Sequence, residues 1–295
     1  MPAICFLCTA EPTPGTVQRH DNAQRLPAGF AKAGWDVTVV DHQALTLADG
    51  QVVLQPGAVP LNRFDLIWIL GFGPRASFMD RMQLLQSLPE ARFVNSPRAL
   101  LSLHAKYFLP LSDLQAQHPA TIASGDPAFL LDKISQGGDW ILKPPAGSFG
   151  RSVYLVNAAD RNLDVILDQL TGHGEGTYCV LQAYVPDIER GEKRVLMANG
   201  MIVGAYLRMP SNDHRVNLAQ SGQAQITGLS AAERALAEAA ACSLLAEGVR
   251  FAAVDIAGPW IIEYNLANPG GLSTLANLTG DDPTPAVVAA LAACV

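Results

Sequence analysis

Cysteine is scarce and scattered in this chain: five in 295 residues (Cys5, Cys8, Cys179, Cys242, Cys294), an odd number spread from end to end. A disulfide scaffold needs clustered, paired thiols, so that class is excluded and a reducing compartment fits. No apolar run approaches the roughly 18 residues of a membrane helix. Met1 to Ala10 also lacks the basic start of a targeting peptide, and Glu11, Pro12, Pro14 and Gly15 cut its apolar stretch short. The expectation is a cytoplasmic protein with no membrane partner. Charge is sparse at 16% of residues, and basic charge is in deficit, with Lys+Arg 20 against Asp+Glu 27. A surface that grips a phosphate backbone needs the opposite balance, so nucleic acid is not an expected partner. The six histidines show no metal spacing. Neither a Gly-x-Ser-x-Gly elbow nor a Gly-Lys-Ser/Thr loop occurs, which leaves zinc enzymes, serine hydrolases and Walker-type nucleotidases without support. Internal repeats and low-complexity tracts are missing too, which removes solenoids and propellers.

What is present is length and apolar content, 295 residues with 49% hydrophobic, enough for about two domains with real cores. Ala3 to Cys8 reads as a strand, Asn22 to Ala33 as a helix and Trp35 to Asp41 as a strand. Leu66 to Leu70, Met79 to Leu88, Arg92 to Asn95 and Pro97 to Leu109 continue as strand, helix, strand and helix. Such alternation implies an α/β fold with a parallel sheet. From about Thr121 to Tyr178 the pattern becomes that of a small separate lobe: helix Pro127 to Ser135, strands Trp140 to Lys143 and Ser152 to Val156, helix Leu163 to Leu170. The rest is strand-rich until Ser230-Ala231-Ala232-Glu233, a capping box ahead of an alanine-rich helix that stops at Gly248. Strands Phe251 to Ala257 and Ile261 to Leu266 follow, and a helix near Pro285 to Ala293 closes the chain. Boundaries are drawn at 1–120, 121–183 and 184–295.

The C-terminal hairpin is the most informative stretch. Glu263 and Asn265 lie two apart in a strand and so share a face, and a three-residue connection at Gly258 to Trp260 would set Asp255 opposite Glu263. Two carboxylates this close need a cation, and an all-oxygen set suits Mg²⁺ or Mn²⁺. A solvated edge is the plainer explanation, but both acids interrupt strongly apolar strands, where unpaired charge is costly. Lys143 ends a strand before Pro144-Pro145-Ala146-Gly147-Ser148-Phe149-Gly150-Arg151, a small-residue turn that lets backbone N–H groups approach phosphate; a hairpin beside a surface lysine would look the same. Arg194, Arg208 and Arg215 can hold carboxylates or phosphates bidentately, and equally can be surface residues. Two decoys are set aside. Gly71-Phe72-Gly73-Pro74-Arg75-Ala76 imitates a dinucleotide fingerprint but follows a late strand. Cys5-Phe6-Leu7-Cys8 places its thiols on opposite strand faces and has no second pair.

In order, Asn95-Ser96-Pro97-Arg98-Ala99-Leu100 leading to Lys106, Ile141-Leu142-Lys143-Pro144, Gln182-Ala183-Tyr184-Val185-Pro186, Gly191-Glu192-Lys193-Arg194-Val195, Arg215-Val216-Asn217-Leu218-Ala219 and the Asp255, Glu263, Asn265 set resemble the ATP-grasp ligases, and closely the prokaryotic glutathione synthetases. The resemblance implies an ATP-grasp fold: an N-terminal Rossmann-like parallel-sheet domain that holds substrate, a small central lid and a C-terminal α+β catalytic domain. It implies that Lys106 and Lys143 contact phosphate, that Gly147, Ser148, Phe149 and Gly150 close over it, that Gln182, Tyr184 and Val185 hold adenine and that Glu192 meets the ribose. By the same likeness Asp255, Glu263 and Asn265 ligate Mg²⁺ or Mn²⁺, Arg194 and Arg208 steady the acyl phosphate and the substrate carboxylates, and Arg215, Asn217, Gly270 and Gly271 bind substrate. The implied cofactors are ATP and Mg²⁺, or Mn²⁺. The implied reaction is amide formation between γ-glutamylcysteine and glycine or a related pair; small amino acids or peptides are the partners, and a homo-oligomer is left open. A non-catalytic ATP-binding module is the alternative, and an NAD-dependent oxidoreductase the third reading.

Three departures stand out. Family members often carry Asp-Gly-Met-Gly-Gly where this chain has Ala146 to Gly150, Asp-Pro-Pro-Phe-Asp where it has Gly71 to Ala76, and Val-Thr-Ser-Pro-Thr where it has Leu266 to Gly271. The first-domain edge therefore carries Arg75, and no acid between Asp65 and Asp80, to meet a substrate ammonium. γ-Glutamylcysteine is accordingly expected to bind poorly or through other residues such as Arg19 or Asp21, with an acid-rich or N-blocked carboxylate preferred.

Overall fold

The computed structural model describes residues 1–9, 21–146, 152–210 and 223–294. β1 (Ala3–Leu7) is buried at every residue and leads to α1 (Asn22–Lys32) and β2 (Asp36–Val40). A small antiparallel sheet of β3 (Leu45–Ala48), β4 (Gln51–Leu54) and β5 (Val59–Pro60) intervenes before β6 (Leu66–Ile69). β2, β1 and β6 form a parallel sheet in that order. Burial on both faces is why β1 and β6 are continuous apolar runs. It also separates the thiols: Cys5 enters one core cluster and Cys8 another, on the other side.

Two expected elements differ here. Arg92 to Asn95 is not a strand: a 3-10 turn over Glu90–Arg92 leads to single bridges from Phe93 to Ile67 and from Asn95 to Val249. The Asn95 side chain does the pairing instead, donating to the Phe251 and Leu266 carbonyls and accepting from the Arg250 and Phe251 N–H groups. The helix expected over Pro97 to Leu109 breaks after Ser102. α2 (Phe78–Leu85) and α3 (Pro97–Ser102) precede the break, and α4 (Phe108–Leu111) follows it. The intervening chain is pinned by the Tyr264 hydroxyl, 2.8 Å from the Leu103 carbonyl and 2.6 Å from that of Ala105. A tertiary contact thus overrides helical propensity, and the result is that Lys106 is turned toward β-sheet residues further along the chain.

The lobe contains β7 (Thr121–Ser124), α5 (Pro127–Ser135), β8 (Trp140–Lys143), β9 (Tyr154–Val156), α6 (Leu163–Leu170) and β10 (Cys179–Ala183). Its antiparallel sheet runs β7-β10-β8-β9 under the two helices. Leu130, Ile134, Leu142, Leu163, Leu167 and Leu181 make a core of their own there.

β11 (Glu192–Ala198), β12 (Met201–Met209) and β13 (Gln223–Ile226) open the third sheet. The capping box of α7 (Ala231–Ala246) forms as its spacing requires, Ser230 Oγ accepting from Glu233 N–H and the Glu233 carboxylate from Ser230 N–H. β14 (Phe251–Ala257) and β15 (Trp260–Asn265) complete the antiparallel order β13-β12-β11-β14-β15, with α8 (Leu272–Thr279) and α9 (Thr284–Ala292) after it. α8 and the β3–β5 sheet had no clear sequence signal. The first and third sheets share core rather than owning one each. Ile67 and Ile69 cluster with Val195 and Val254, and Phe6 and Trp68 with Leu196 and Phe251.

Candidate active site

Register across the third sheet assembles six of the candidate residues. β11 pairs Arg194 with Asp255 of β14, β14 pairs Asp255 with Glu263 of β15, and β12 pairs Arg208 with Glu192. Residues directly opposite share a face, as do those two apart, so Glu192, Arg194, Arg208, Asp255, Glu263 and Asn265 all project to one side. The turn that achieves this differs from expectation. Ala257 pairs with Trp260, so only Gly258 and Pro259 lie between the strands, and a bulge after Asp255 supplies the one-residue shift that sets Asp255 against Glu263.

Their charges are neutralised within the chain. Arg194 grips Asp255 bidentately at 2.8 and 2.7 Å, and Arg208 reaches the same carboxylate at 2.8 Å while also pairing with Glu192. Asn265 donates Nδ2 to Asp255 at 3.2 Å, which keeps its Oδ1 for another partner. Lys106 bonds Glu263 at 2.6 Å. Burial pushes the Asp255 carboxyl up, but the guanidiniums of Arg194 and Arg208 outweigh it and hold it down to about 2. Glu263 is likewise lowered, its burial outweighed by Lys106 and Lys143. Glu192 goes the other way: burial, followed by the Asp255 charge, overcomes Arg208 and raises it to about 7. Arg194 is held well above its usual value because Asp255 outweighs the cost of burial.

The lobe contributes Lys143 at the end of β8 and Gln182 on β10, both buried. Lys143 Nζ donates to Gln182 Oε1 at 2.8 Å. Burial, with Lys106 adding to it and Glu263 opposing, pushes this lysine down to about 8. Beyond Gln182 the chain passes Tyr184, whose N–H is committed to the Asp139 carbonyl at 3.0 Å. It then reaches Val185, packed in a small cluster with Ala257 and Ile262 where the lobe strand rejoins the third sheet. Lys106 N–H bonds the Pro145 carbonyl at 3.0 Å, tying the segment that carries one lysine to the turn that follows the other.

Gly270 offers its carbonyl to Arg194 at 3.4 Å. Gly271 has φ +145°, and a Cβ there would stand 3.1 to 3.2 Å from Leu196 and the Tyr206 ring and hydroxyl, so the close approach and the backbone both demand glycine. Gly147, Ser148, Phe149, Gly150, Arg215, Asn217 and Arg19 lie outside the described residues. Sequence reasoning missed Tyr264 and His118. Tyr264 sits between two candidate ligands and was legible only as a core aromatic; His118 had no neighbouring motif at all.

Could this arrangement hold a divalent metal? Among the described residues no group of three or more His, Cys, Asp or Glu side chains is placed to do so alone. Two carboxylates and an amide oxygen on one face do suit a hard cation that takes its remaining ligands from phosphates. The described site groups, Lys106, Lys143, Arg194 and Arg208 against Glu192, Asp255 and Glu263, carry a positive balance. A bare cation is therefore repelled, whereas a metal–nucleotide complex, negative overall, is attracted. No described helix is long and apolar enough to cross a membrane.

Residues 108–280 match the model of the prokaryotic glutathione synthetase ATP-grasp domain. A glutathione synthetase of Thermosynechococcus vestitus is 28% identical over 292 residues, covering 88% of this chain and 91% of that protein. Another, from Xanthomonas axonopodis pv. citri, is 31% identical over 81% of this chain and 71% of its own length. Among solved structures, D-cycloserine synthetase DcsG superposes with TM-score 0.70 and 18% identity, and covers 99% of both chains. The ATP-grasp ligase PsnB, complexed with a minimal precursor, gives TM-score 0.70 at 17% identity over 99% of this chain and 98% of its own. At such identities the structural likeness speaks to the fold.

Proposed function

The chain belongs to the prokaryotic glutathione synthetase family of ATP-grasp proteins, and we propose that it joins a small peptide-like carboxylic acid to an amino-acid amine at the face built by β11, β12, β14 and β15. It is an ATP-dependent ligase that forms a carbon–nitrogen bond, and it uses ATP with a divalent metal; neither a non-catalytic module nor an NAD-dependent oxidoreductase is favoured. The observation that carries the residue assignment is the buried network in which Lys106, Arg194 and Arg208 neutralise Asp255 and Glu263 beside Lys143.

In this reading residues 1–120 supply the acid-binding edge, 121–183 the lid and 184–295 the catalytic sheet. Asp255, Glu263 and the Oδ1 of Asn265 would hold Mg²⁺, or Mn²⁺, which would supply charge neutralisation on the transferred phosphoryl. Lys106, held beside Glu263, and Lys143 supply their cations to phosphate oxygens. Arg194 and Arg208, already fixed by Asp255, face the substrate carboxylate as it accepts the γ-phosphoryl. The amine then attacks the acyl carbon, phosphate departs, and the amine's proton is lost to solvent. Gln182 and the Tyr184–Val185 backbone line the adenine side; with Tyr184 N–H committed to Asp139, the Tyr184 carbonyl and Val185 N–H read the base. Glu192, buried on Arg208, steadies that arginine in addition to any ribose contact.

For the acid, the departures at Gly71 to Ala76 and Leu266 to Gly271 favour a carboxylate without a free α-ammonium. Gly71 N–H bonds the Ala267 carbonyl at 2.9 Å, which makes the two altered segments one surface. ADP formation from Mg-ATP should require both an acid and an amine. Comparing γ-glutamylcysteine with its N-acyl derivative, each with glycine, tests the choice: a kcat/KM for the free dipeptide above about 10⁴ M⁻¹s⁻¹ would make it the natural substrate. Nucleotide binding with no ADP formed across a broad panel would return the protein to the class of binding modules.

A further inference from the structure

Lys143 is held by a neutral side chain, and that side chain is itself held. Gln182 Oε1 accepts from Lys143 Nζ at 2.8 Å, its Nε2 lies 3.0 Å from His118 Nε2, and His118 Nδ1 lies 2.7 Å from the Ile261 carbonyl. All three side chains are buried. Of the two ends of the amide only the oxygen can accept from an ammonium, so Lys143 dictates the Gln182 orientation and turns its NH₂ toward the imidazole. His118 Nε2 must then be the unprotonated acceptor and Nδ1 the protonated donor to Ile261. In this one arrangement each of the three contacts joins a donor to an acceptor, whereas reversing the amide would set NH₂ against NH₃⁺. Thr121 Oγ1, 3.3 Å from Gln182 Nε2, is a second acceptor that supports the same orientation.

We propose that His118 is a positioning residue for Lys143: acting through Gln182, it fixes the place from which the ammonium meets a nucleotide phosphate. The inference rests on the nucleotide reading above. It also crosses the lobe boundary, because His118 precedes β7 and Ile261 belongs to β15, two residues before Glu263. The lysine on the lobe is thus located relative to the sheet that carries the carboxylates. Burial supports the neutral imidazole, pushing His118 down to about 4 with Lys143 adding to it.

The tautomer is read directly by long-range ¹H–¹⁵N correlation spectra of the imidazole. The Nδ1–H form at pH 7 is expected; the Nε2–H form or an imidazolium would overturn the proposal. Binding of Mg-AMPPNP by calorimetry is the second arm. A glutamine amide reaches the position of the imidazole Nε2, and an asparagine amide that of Nδ1. His118→Gln therefore keeps an acceptor for Gln182 and should bind within about threefold of wild type. His118→Asn keeps only the Ile261 contact, leaves the Gln182 amide unpaired and should weaken binding about tenfold. Equal losses, or none in a folded His118→Asn, would overturn the proposal while leaving the nucleotide reading intact. Failure of the wild type to bind Mg-AMPPNP would overturn both. If His118→Asn does not fold, the tautomer spectrum decides alone.

Discussion

The two sides of the site solve the problem of buried charge differently. On the third sheet, each carboxylate is matched to a guanidinium or ammonium: Arg194 and Arg208 on Asp255, Lys106 on Glu263. On the lobe, Lys143 stands at the end of β8 with a neutral amide as its hydrogen-bond partner. The paired side is self-sufficient, its residues holding one another in place through their own ion pairs. The unpaired side stores an unmet electrostatic need, since a desolvated ammonium gains most from an incoming phosphate. One surface supplies geometry and the other supplies attraction. The cores follow the same division, for the first and third sheets share theirs while the lobe has its own.

The difference is broken most severely at Asp255. Asp255→Asn removes the charge shared by Arg194, Arg208 and Asn265, leaving two buried guanidiniums under-compensated. Removing one partner of a buried pair costs about 3–5 kcal/mol. Both stability and turnover should collapse, turnover by about a thousandfold or more. Urea titration and ADP release read the two effects, and a variant that keeps wild-type stability would show that the pairing is not what holds this side together.

Lys143→Met is the contrasting case. It should lower kcat/KM for ATP by about 10²–10³, the usual loss when one preorganised donor is removed from a water-excluded site. Stability should be unchanged or higher, because among the described residues the buried ammonium that is removed has no carboxylate at ion-pair distance, and burial outweighs the more distant Glu263. A fall in stability comparable with that of Asp255→Asn would erase the distinction between the two sides.

A third change probes the separate core. Leu167, fully packed between α6 and the lobe sheet, loses about 2–5 kcal/mol of local stability as alanine. Hydrogen exchange should accelerate in β8 and β10 and stay unchanged in β1, β6 and β14. Uniform acceleration would mean that the lobe unfolds only with the whole. Mg-AMPPNP should slow exchange in the lobe of the wild type, since closure over nucleotide excludes water.

How much of this was legible in the sequence depends on whether the cause was local. α5, β8 and α6 lie where they were read, because their causes are local: the Asp126 side chain that caps α5, for one, adjoins the helix it starts. The Asp255–Glu263 pairing was also anticipated, yet the means was not, since a bulge and a two-residue turn stand where a three-residue turn was expected. The break after Ser102 was invisible, for its cause is Tyr264, more than 150 residues away in sequence. Spacing anticipated that two carboxylates and an amide converge; it could not show that Arg194 and Arg208 would be the cations satisfying Asp255, nor that His118 backs Gln182.

The smallest expected effect is a pH dependence, and it follows from the unpaired side alone. Lys143 sits at about 8 in the folded protein, against an unperturbed 10.5. Between those values the unfolded chain binds the extra proton and the folded chain does not, so stability rises with pH across that window. Below about 8 both states are protonated, and the full cost of burying the ammonium is present. The stability advantage of Lys143→Met should therefore be largest near neutral pH and shrink from pH 8 to 10. The kinetic consequence runs the opposite way. kcat/KM reports the free enzyme, so kcat/KM for ATP should fall by a few fold between pH 7 and 8.5 as the ammonium is lost. In Lys143→Arg, whose guanidinium keeps its proton, that alkaline limb should move beyond the measurable range even though the absolute rate drops, because a planar fork does not replace a point charge. The paired cations provide the control, for Arg194 is held above its usual value by Asp255 and does not titrate in this window. An alkaline limb that persists unchanged in Lys143→Arg would assign it to another group and remove the lobe lysine as the site's unmet charge.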